Sequence, residues 1–495
     1  MITSKASEEL KKQRAGSTVL FFVQIFSTLS YSILFSTLVL FITNGLKMDD
    51  VEATTITASF VAFNFALHLI GGFVAGRLFS YRSLFALGML LQALGCYILS
   101  TYQLYLGLAV FLSGTGLNVT CINCLLTQFF KPHDKRRERA FLWNYSGMNI
   151  GFLIGFTISG FFEKTANYST LFLIGAASNI LTFIIVLATF KILKDRKTVF
   201  SFLTIKKRFL FRLFGLLIIG SIITMLIWLL RYSSFSNNMI LIAGAIMVFV
   251  IIFFALRQKT SVAKEKMWAF LILCFMALCF WTLYMTAPLG LILFIENNVN
   301  RSFFGFTIPP QWALNINTVI IIIGGPLMAI SYNKLRKKGF NITIPVQFTL
   351  SLFLIGLGFV LLAISINFAD SKGFINFWWI VSSYILQSLG ELCIGPIGYA
   401  MIGQLIPHKI QNIMMGTWMM LTGVAAVFAN IFTKLAIGVS KATDPIITNP
   451  SFFKIFIILG VSTVIAGIIT LTLVPFLHKL IKEKKHPSET PSIPV

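Results

Sequence analysis

The sequence predicts an all-α membrane protein with fourteen transmembrane helices, and three observations support this fold class. Of the 495 residues, 57% are apolar and only 11% are charged, which is far from the composition of soluble domains. Apolar runs of about 18 or more residues recur from Val19 onward, each long enough to cross about 30 Å of hydrocarbon. The basic residues alternate from loop to loop. Because lipid offers the backbone no hydrogen-bond partner, these runs must be helices.

The order of the spans predicts two groups of six helices with a helical pair inserted between them. The spans are expected at 19–43, 53–78, 83–100, 103–130, 139–163, 168–192, 209–231, 237–256, 267–296, 312–333, 344–366, 377–406, 412–440 and 452–478. This 6 + 2 + 6 order is typical of transporters built from two halves around a central cavity. The expected units are a tail at 1–18, a first six-helix bundle at 19–192, a basic linker with the hairpin at 193–266, a second six-helix bundle at 267–478 and a tail at 479–495.

The positions of the basic residues predict which side of the membrane the loops face. The formal net charge is +24, and 32 of the 40 Lys and Arg residues lie in the two tails and around every second loop. Because positively charged loops face the cytoplasm, both termini are expected there. The basic runs are therefore topology signals with anionic-lipid contacts, and a nucleic-acid partner is not expected. Residues 1–18 hold no cleavable apolar core, so the first span is expected to be retained.

Several classes of activity find no support in the motifs. The sequence contains no G-x-x-x-x-G-K-[ST] nucleotide loop and neither the H-E-x-x-H nor the G-x-S-x-G motif. We therefore expect no enzyme activity and no cofactor, and an ion or solute gradient remains as the energy source. No metal site is expected either, because no second pair or nearby histidine completes a set with Cys121 and Cys124. All six cysteines fall inside predicted spans and are expected to be free thiols: Cys96, Cys121, Cys124, Cys274, Cys279 and Cys393.

Polar residues at helical spacing within the spans are candidates for a cavity lining, because buried polarity is costly in lipid. Such residues are Gln24, Ser27, Thr28 and Tyr31 in the first span, Asn118, Thr120, Cys121 and Asn123 in the fourth, Asn144, Tyr145 and Asn149 in the fifth, and Tyr284 and Thr286 beside Pro288 in the ninth. The alternative is interhelical packing, since small hydroxyl side chains let helices approach and hydrogen-bond. His68 in the second span is either an interhelical donor or a proton carrier.

Glu391 differs from the other acids because it lies well inside a predicted span, whereas the rest of the 16 acids fall in tails, in loops or at span ends. An ionisable group near the membrane centre costs at least about 2.5 kcal/mol on insertion scales. Gln387 and Ser388 lie one turn before it, which makes a small polar face with room for a ligand. Pro396 cannot donate a backbone hydrogen bond, so the helix is expected to bend just past the acid. The alternative is a protonated Glu391 that shares hydrogen bonds with a neighbouring helix.

Four segments carry a family resemblance: GTGLNVTCINCLL (114–126), AFLWNYSGMNIGFLIG (140–155), QSLGELCIGPIGYAMIGQLIP (387–407) and MMGTWMMLTGVAAVFANIF (414–432). They resemble the proton-dependent oligopeptide transporters of the major facilitator superfamily, in particular bacterial dipeptide and tripeptide permeases with fourteen helices. The resemblance implies the major facilitator superfamily fold and alternating access by two rocking six-helix bundles. It also implies that Glu391 helps to hold a substrate amino group and that Tyr31, Tyr145 and Asn149 line the pocket.

The departures from the family concern charged residues. The family's first helix carries an E-x-x-E-R signature, and its fourth helix carries a lysine. At the family's charged and polar positions this sequence has Gln24, Ser27 and Thr28 in the first helix, Val119 in the fourth, Met276 and Ile292 in the seventh core helix, and Gly76 in the loop after the second. An acid beside a missing cation would be a costly unpaired charge, so the set is expected to be lost together. Without the Arg and the Lys, the groups that grip a peptide's carboxylate are gone.

The sequence therefore predicts a monomeric secondary transporter of the inner membrane that moves a small peptide-like or amine-bearing solute, with proton coupling through Glu391 or His68. The predicted substrate-binding residues are Glu391, Tyr31, Tyr145, Asn149, Gln24, Asn118, Gln387, Ser388 and Tyr284, with helix bends at Pro396 and Pro288. Three alternatives remain open: an orthodox dipeptide and tripeptide proton symporter, a metabolite or siderophore facilitator or exporter, and a receptor or scaffold that no longer transports.

Overall fold

In the part of the chain that the computed structural model describes, fourteen helices are long and apolar enough to cross a membrane. The structure describes residues 2–130, 135–195, 198–339, 342–438 and 443–481. The predicted all-α membrane fold with fourteen spans is confirmed, and it consists of two six-helix bundles with an inserted hairpin. An even number of spans brings both ends of the chain to one side, which we call the terminal face; the opposite side is the distal face.

The first bundle contains α1 (Ile2–Leu40), α2 (Asp50–Val74), α3 (Tyr81–Ser100), α4 (Leu104–Thr127), α5 (Lys135–Glu163) and α6 (Tyr168–Ala188). A π-helical turn, Phe41–Gly45, extends α1. Helix α1 packs against α5 and α6, while α3 packs against α4 and α6. The apolar faces of these helices meet in two continuous hydrophobic cores.

The inserted hairpin consists of α8 (Ile205–Arg231) and α9 (Ser233–Leu256), preceded by the short helix α7 (Val199–Phe202). Helix α8 packs on α4 and α2, whereas α9 packs on α2 and on helices of the second bundle. Only 22% of the apolar window of α8 and 17% of that of α9 is buried, so most of the hairpin surface faces outward.

The second bundle contains α10 (Ser261–Tyr284), α11 (Ile292–Asn298), α12 (Trp312–Lys337), α13 (Ile344–Ile366), α14 (Phe377–Leu405), α15 (Gln411–Ile437) and α16 (Pro445–Ile481). A π-helical turn, Ala287–Leu291, joins α10 to α11, and a 3-10 turn, His408–Ile410, precedes α15. Four short strands lie in its loops: β1 (Val299–Asn300) pairs in parallel with β4 (Ile375–Asn376), and β2 (Ser302–Phe303) pairs antiparallel with β3 (Phe306–Thr307). The two bundles meet mainly where α2 packs on α15 and α5 on α12.

One detail differs from the expectations, and two others concern the prolines at which bends were expected. The first helix begins at Ile2 and not at Val19, because the segment before Gly16 is rich in Glu and Lys, which favour helix. The ninth span is interrupted by the π-helical turn at Pro288, where the missing backbone N–H prevents a regular α-helix, as expected. Helix α14 runs through Pro396 to Leu405, so the expected bend produces no break in the helix.

The six cysteines are free thiols, and they lie in α3, α4, α10 and α14. In the part of the chain that the structure describes, no group of three or more His, Cys, Asp or Glu side chains is arranged to hold a metal ion.

Close contact between α2 and α4 depends on a pair of glycines. A Cβ atom on Gly71 would lie 1.9 Å from the carbonyl oxygen of Gly116, and a Cβ on Gly116 would lie 2.5 Å from the Cβ of Leu67. Any side chain at either position therefore forces the two helices apart. Small residues at helix crossings are the usual means by which membrane helices approach closely.

We expect Gly71→Val to lower the melting temperature of the purified protein, because overpacking a tight crossing costs about 1–3 kcal/mol. Thermal unfolding followed by tryptophan fluorescence measures the change. Gly220→Val in α8 is the matched control, since a Cβ there would meet no atom within 4 Å. Equal melting temperatures for the two variants would contradict the assigned crossing.

Candidate functional site

Glu391 lies in a compact polar cluster of the second bundle, which we call the acid cluster: Tyr284, Asn317, Ser388 and Glu391. The side-chain amide of Asn317 donates from Nδ2 to Glu391 Oε2 over 2.7 Å and to Ser388 Oγ over 3.1 Å. The Tyr284 hydroxyl also hydrogen-bonds Glu391 and lies 3.4 Å from Asn317 Oδ1. Three helices, α10, α12 and α14, therefore converge on one carboxylate.

The residues around the acid cluster fix its geometry. Ser388 donates to the carbonyl of Tyr384 over 2.6 Å, one turn earlier in α14. Gln387 donates to Ser383 Oγ over 3.0 Å, and Ser383 donates to the carbonyl of Gly358 in α13. These hydroxyls and amides bond to their own helix or to a neighbour, whereas the Glu391 carboxylate accepts from side chains of α10 and α12. Among the described residues, no cationic side chain is paired with Glu391.

A small cavity separates the acid cluster from the first bundle. Its volume is about 20 Å³, and it is lined by Phe35, Phe156, Tyr284, Ala287, Leu314, Asn317, Tyr384 and Gln387. A space of this size has room for about one water molecule. The cavity brings together side chains of α1 and α5 with side chains of α10, α12 and α14. The acid cluster therefore faces the interface between the two bundles.

A second polar group, the amide cluster, lies in the first bundle and consists of Gln24, Thr28 and Asn144. Gln24 donates from Nε2 to Thr28 Oγ1 over 3.0 Å, and its Oε1 accepts from Asn144 Nδ2 over 3.0 Å. Gln24 and Thr28 occupy positions at which the resemblance places an acid and an arginine. Neutral hydrogen bonds between α1 and α5 therefore stand where charged groups were expected.

The two predicted tyrosines of the first bundle have different neighbours. Tyr31 packs against the rings of Phe35, Phe60 and Phe152, at centroid distances of 5.8, 6.2 and 6.2 Å. Tyr145 lies within electrostatic range of Tyr284 across the bundle interface. Asn149 donates to the Tyr145 carbonyl over 3.0 Å, so its amide nitrogen is engaged by its own helix.

Asn118 and His68 lie elsewhere in the first bundle. Asn118 is buried against α3, where its Oδ1 occupies the space that a Cβ on Gly88 would need. The ring of His68 packs edge-on against Phe65, and its backbone carbonyl accepts from the Thr120 hydroxyl. The two ring nitrogens of His68 have no hydrogen-bond partner among the described residues. Neither residue joins the acid cluster.

The positions that lack the family's charges differ in exposure. Val119 in α4 is 36% exposed, whereas Met276 in α10 and Ile292 in α11 are buried in apolar cores. A lysine is therefore accommodated more readily at position 119 than a charge at either of the other two.

Asn317 is not among the residues predicted from the sequence, although it donates a hydrogen bond of 2.7 Å to Glu391. A signal is present in the sequence, because Asn315 and Asn317 interrupt the otherwise apolar start of α12. The sequence left open that Glu391 shares hydrogen bonds with a neighbouring helix, but it did not identify the donor.

Known proteins resemble this chain over almost its whole length. A dipeptide and tripeptide permease B from Xenorhabdus bovienii is 27% identical over 492 residues, which is 98% of this chain and 99% of the relative. A dipeptide and tripeptide permease A from Cronobacter turicensis is 27% identical and covers 97% of this chain and 96% of its own length.

Solved structures show the same fold. A POT family transporter in complex with 5-aminolevulinic acid superposes with a TM-score of 0.79 at 22% identity, covering 94% of this chain and 96% of the other. A bacterial homologue of the human drug peptide transporters superposes with a TM-score of 0.82 at 20% identity, covering 94% and 99%. The sequence profile of the POT family matches residues 77–446. The resemblance is thus confirmed, and this chain, a multi-pass membrane protein and not an enzyme, belongs to the POT family.

Proposed function

We propose that this protein is a secondary transporter that moves a small peptide-like or amine-bearing solute across the inner membrane by alternating access. The observation that carries the proposal is the acid cluster, in which Tyr284 and Asn317 line the cavity between the bundles and hydrogen-bond Glu391, and Glu391 has no cationic partner among the described residues. A buried carboxylate requires compensation. Asn317 and Tyr284 compensate part of its charge, and a substrate ammonium group is suited to supply the rest.

Proton coupling follows from the same carboxylate. A proton and an ammonium group both neutralise Glu391, and in a site of low dielectric constant they compete for it. A cycle in which one replaces the other links solute movement to the proton gradient. His68 is the second candidate for a proton carrier because its ring nitrogens lack partners among the described residues.

The first bundle supports a substrate without a required carboxylate. Gln24 links Thr28 and Asn144 through neutral hydrogen bonds, and Val119 presents no charge. A carboxylate is held strongly by arginine or lysine and only weakly by amides and hydroxyls. The names of the relatives point to dipeptides and tripeptides, and 5-aminolevulinic acid, found in one structural neighbour, also carries an amine.

The distal contacts between the bundles correspond to a state that is closed on the outside under the proposed topology. Near the distal face, Thr157 of α5 accepts from Trp312 over 3.1 Å and from Asn315 over 3.0 Å, which joins the bundles. Toward the terminal face, Leu142 of α5 and Leu327 of α12 are 61% and 57% exposed. With the basic terminal face in the cytoplasm, these distal contacts close the bundles on the outside.

The first test compares alanyl-alanine with two derivatives, each changed at one end: the C-terminal amide and the N-acetyl derivative. We expect the first two to bind within about threefold of each other, because no cation grips the carboxylate. The acetylated compound should bind at least about tenfold more weakly, because it brings no ammonium group to Glu391. Thermal-shift titration of the purified protein measures all three. Selective loss of binding by the amide would favour the orthodox dipeptide and tripeptide symporter instead.

Glu391→Gln is expected to abolish proton-coupled transport, because the neutral amide neither titrates nor pairs with an ammonium group. Proteoliposomes loaded with a pH-sensitive dye and given alanyl-alanine or its amide measure the accompanying proton flux. Glu52→Gln, which neutralises an exposed acid at the distal end of α2, is the control and should behave as wild type. Solute-dependent proton flux that persists in Glu391→Gln would refute the assigned role.

A lysine returned to α4 should restore discrimination for a free carboxylate. Val119→Lys is expected to increase the affinity for alanyl-alanine over its amide by at least about tenfold, because a charged hydrogen bond to the carboxylate is regained. Asn123→Lys, one turn further along α4 and also exposed, controls for added charge. If both variants discriminate equally, position 119 does not line the proposed pocket.

A further inference from the structure

Glu163, at the distal end of α5, accepts hydrogen bonds from both bundles. Its Oε1 accepts from the Tyr168 hydroxyl of α6 over 2.7 Å, which is a contact within the first bundle. Its Oε2 accepts from Nε2 of Gln311, just before α12 in the second bundle, over 2.6 Å. Asn44 also hydrogen-bonds Glu163. One carboxylate is therefore held by its own bundle and by the opposite bundle at the same time.

The contact between Glu163 and Gln311 belongs to a wider junction at the distal face. The amine of the adjacent Lys164 lies 3.3 Å from the ring centroid of Phe306 in the second bundle. The Trp312 ring stacks on Phe306 and also packs against Phe161. Most of these contacts are apolar or involve neutral groups. Glu163 to Gln311 is the charge-assisted hydrogen bond of the junction, and such bonds are about twice as strong as neutral ones.

We propose that the hydrogen bond from Gln311 to Glu163 is a latch that holds the distal face closed. The proposal rests on the alternating-access function proposed above, which requires the distal ends of α5 and α12 to separate. In that step the bond to Gln311 breaks, while the bond to Tyr168 moves with the first bundle and stays intact. Gln311 is fully buried, and its Oε1 has no partner among the described residues. Within the described part of the chain, its side chain therefore hydrogen-bonds through Nε2 to Glu163.

The two hydrogen bonds of Glu163 supply a matched pair of variants. Gln311→Leu removes the bond between bundles, and Tyr168→Phe removes a bond of similar length within one bundle. Spin labels at Thr165→Cys and Lys372→Cys, both exposed at the distal face, report the separation of the bundles. The labels are introduced in a Cys279→Ser background, because Cys279 is the exposed native cysteine among the six. Double electron–electron resonance then measures the distance distribution of the full chain in nanodiscs.

We expect Gln311→Leu to raise the ratio of long to short distances about tenfold, while Tyr168→Phe leaves the distribution near that of wild type. Equal shifts in both variants, or no shift in either, would overturn the proposal. This measurement needs no substrate. If the latch variants shift as expected but no ligand of the alanyl-alanine series binds, the latch stands and the proposed substrate class fails.

Exchanging Glu163 and Gln311 distinguishes the loss of their hydrogen bond from a folding defect. Glu163→Gln and Gln311→Glu, made singly, should each open the distal face, the second because it opposes two carboxylates. The double variant restores an amide facing a carboxylate with the roles reversed. We expect its distance distribution to return toward that of wild type. A double variant at least as open as the more open single variant would contradict a pairwise latch.

Discussion

In the hydrocarbon layer every polar group must find its partner within the protein, and the rest of this structure depends on that constraint. Each membrane-spanning segment is therefore a helix, and many hydroxyl groups donate to backbone carbonyls of their own helix. Thr57, Ser113 and Thr182 each donate to a carbonyl four residues earlier, over 2.8, 2.8 and 2.9 Å. The same constraint favours pairing of larger polar side chains across helices, as Asn317 with Glu391 and Asn144 with Gln24.

The helices were predictable because hydropathy is a local property of the chain, and each span carries its own signal. Glu391 was predictable for the same reason, since an acid within an apolar run is visible in the sequence however the helix packs. Its partner Asn317 was not, because the pairing depends on how α12 lies against α14, and no local pattern encodes that packing. Glu163 was set aside as an acid at the end of a span, although its neighbour across the bundles gives it a specific contact.

In the amide cluster, neutral hydrogen bonds stand where the resemblance places the charged groups of the first helix. Gln24 accepts from Asn144 and donates to Thr28, so the side chains between α1 and α5 form a neutral chain of hydrogen bonds. An acid in place of Gln24, without an arginine in place of Thr28, would be a charge facing a neutral partner. The cost of such an intermediate favours the exchange of both positions together.

Helix α12 joins the acid cluster to the distal junction. Asn315 donates to Thr157 in the first bundle, whereas Asn317 donates to Glu391 and Ser388 in the second. Successive helical residues are about 100° apart, so two residues at i and i+2 point to nearly opposite sides. When α12 separates from α5 at the distal face, the turn that positions Asn317 moves with it. A donor to Glu391 and a distal contact between the bundles therefore lie on one turn of one helix, on opposite sides of it.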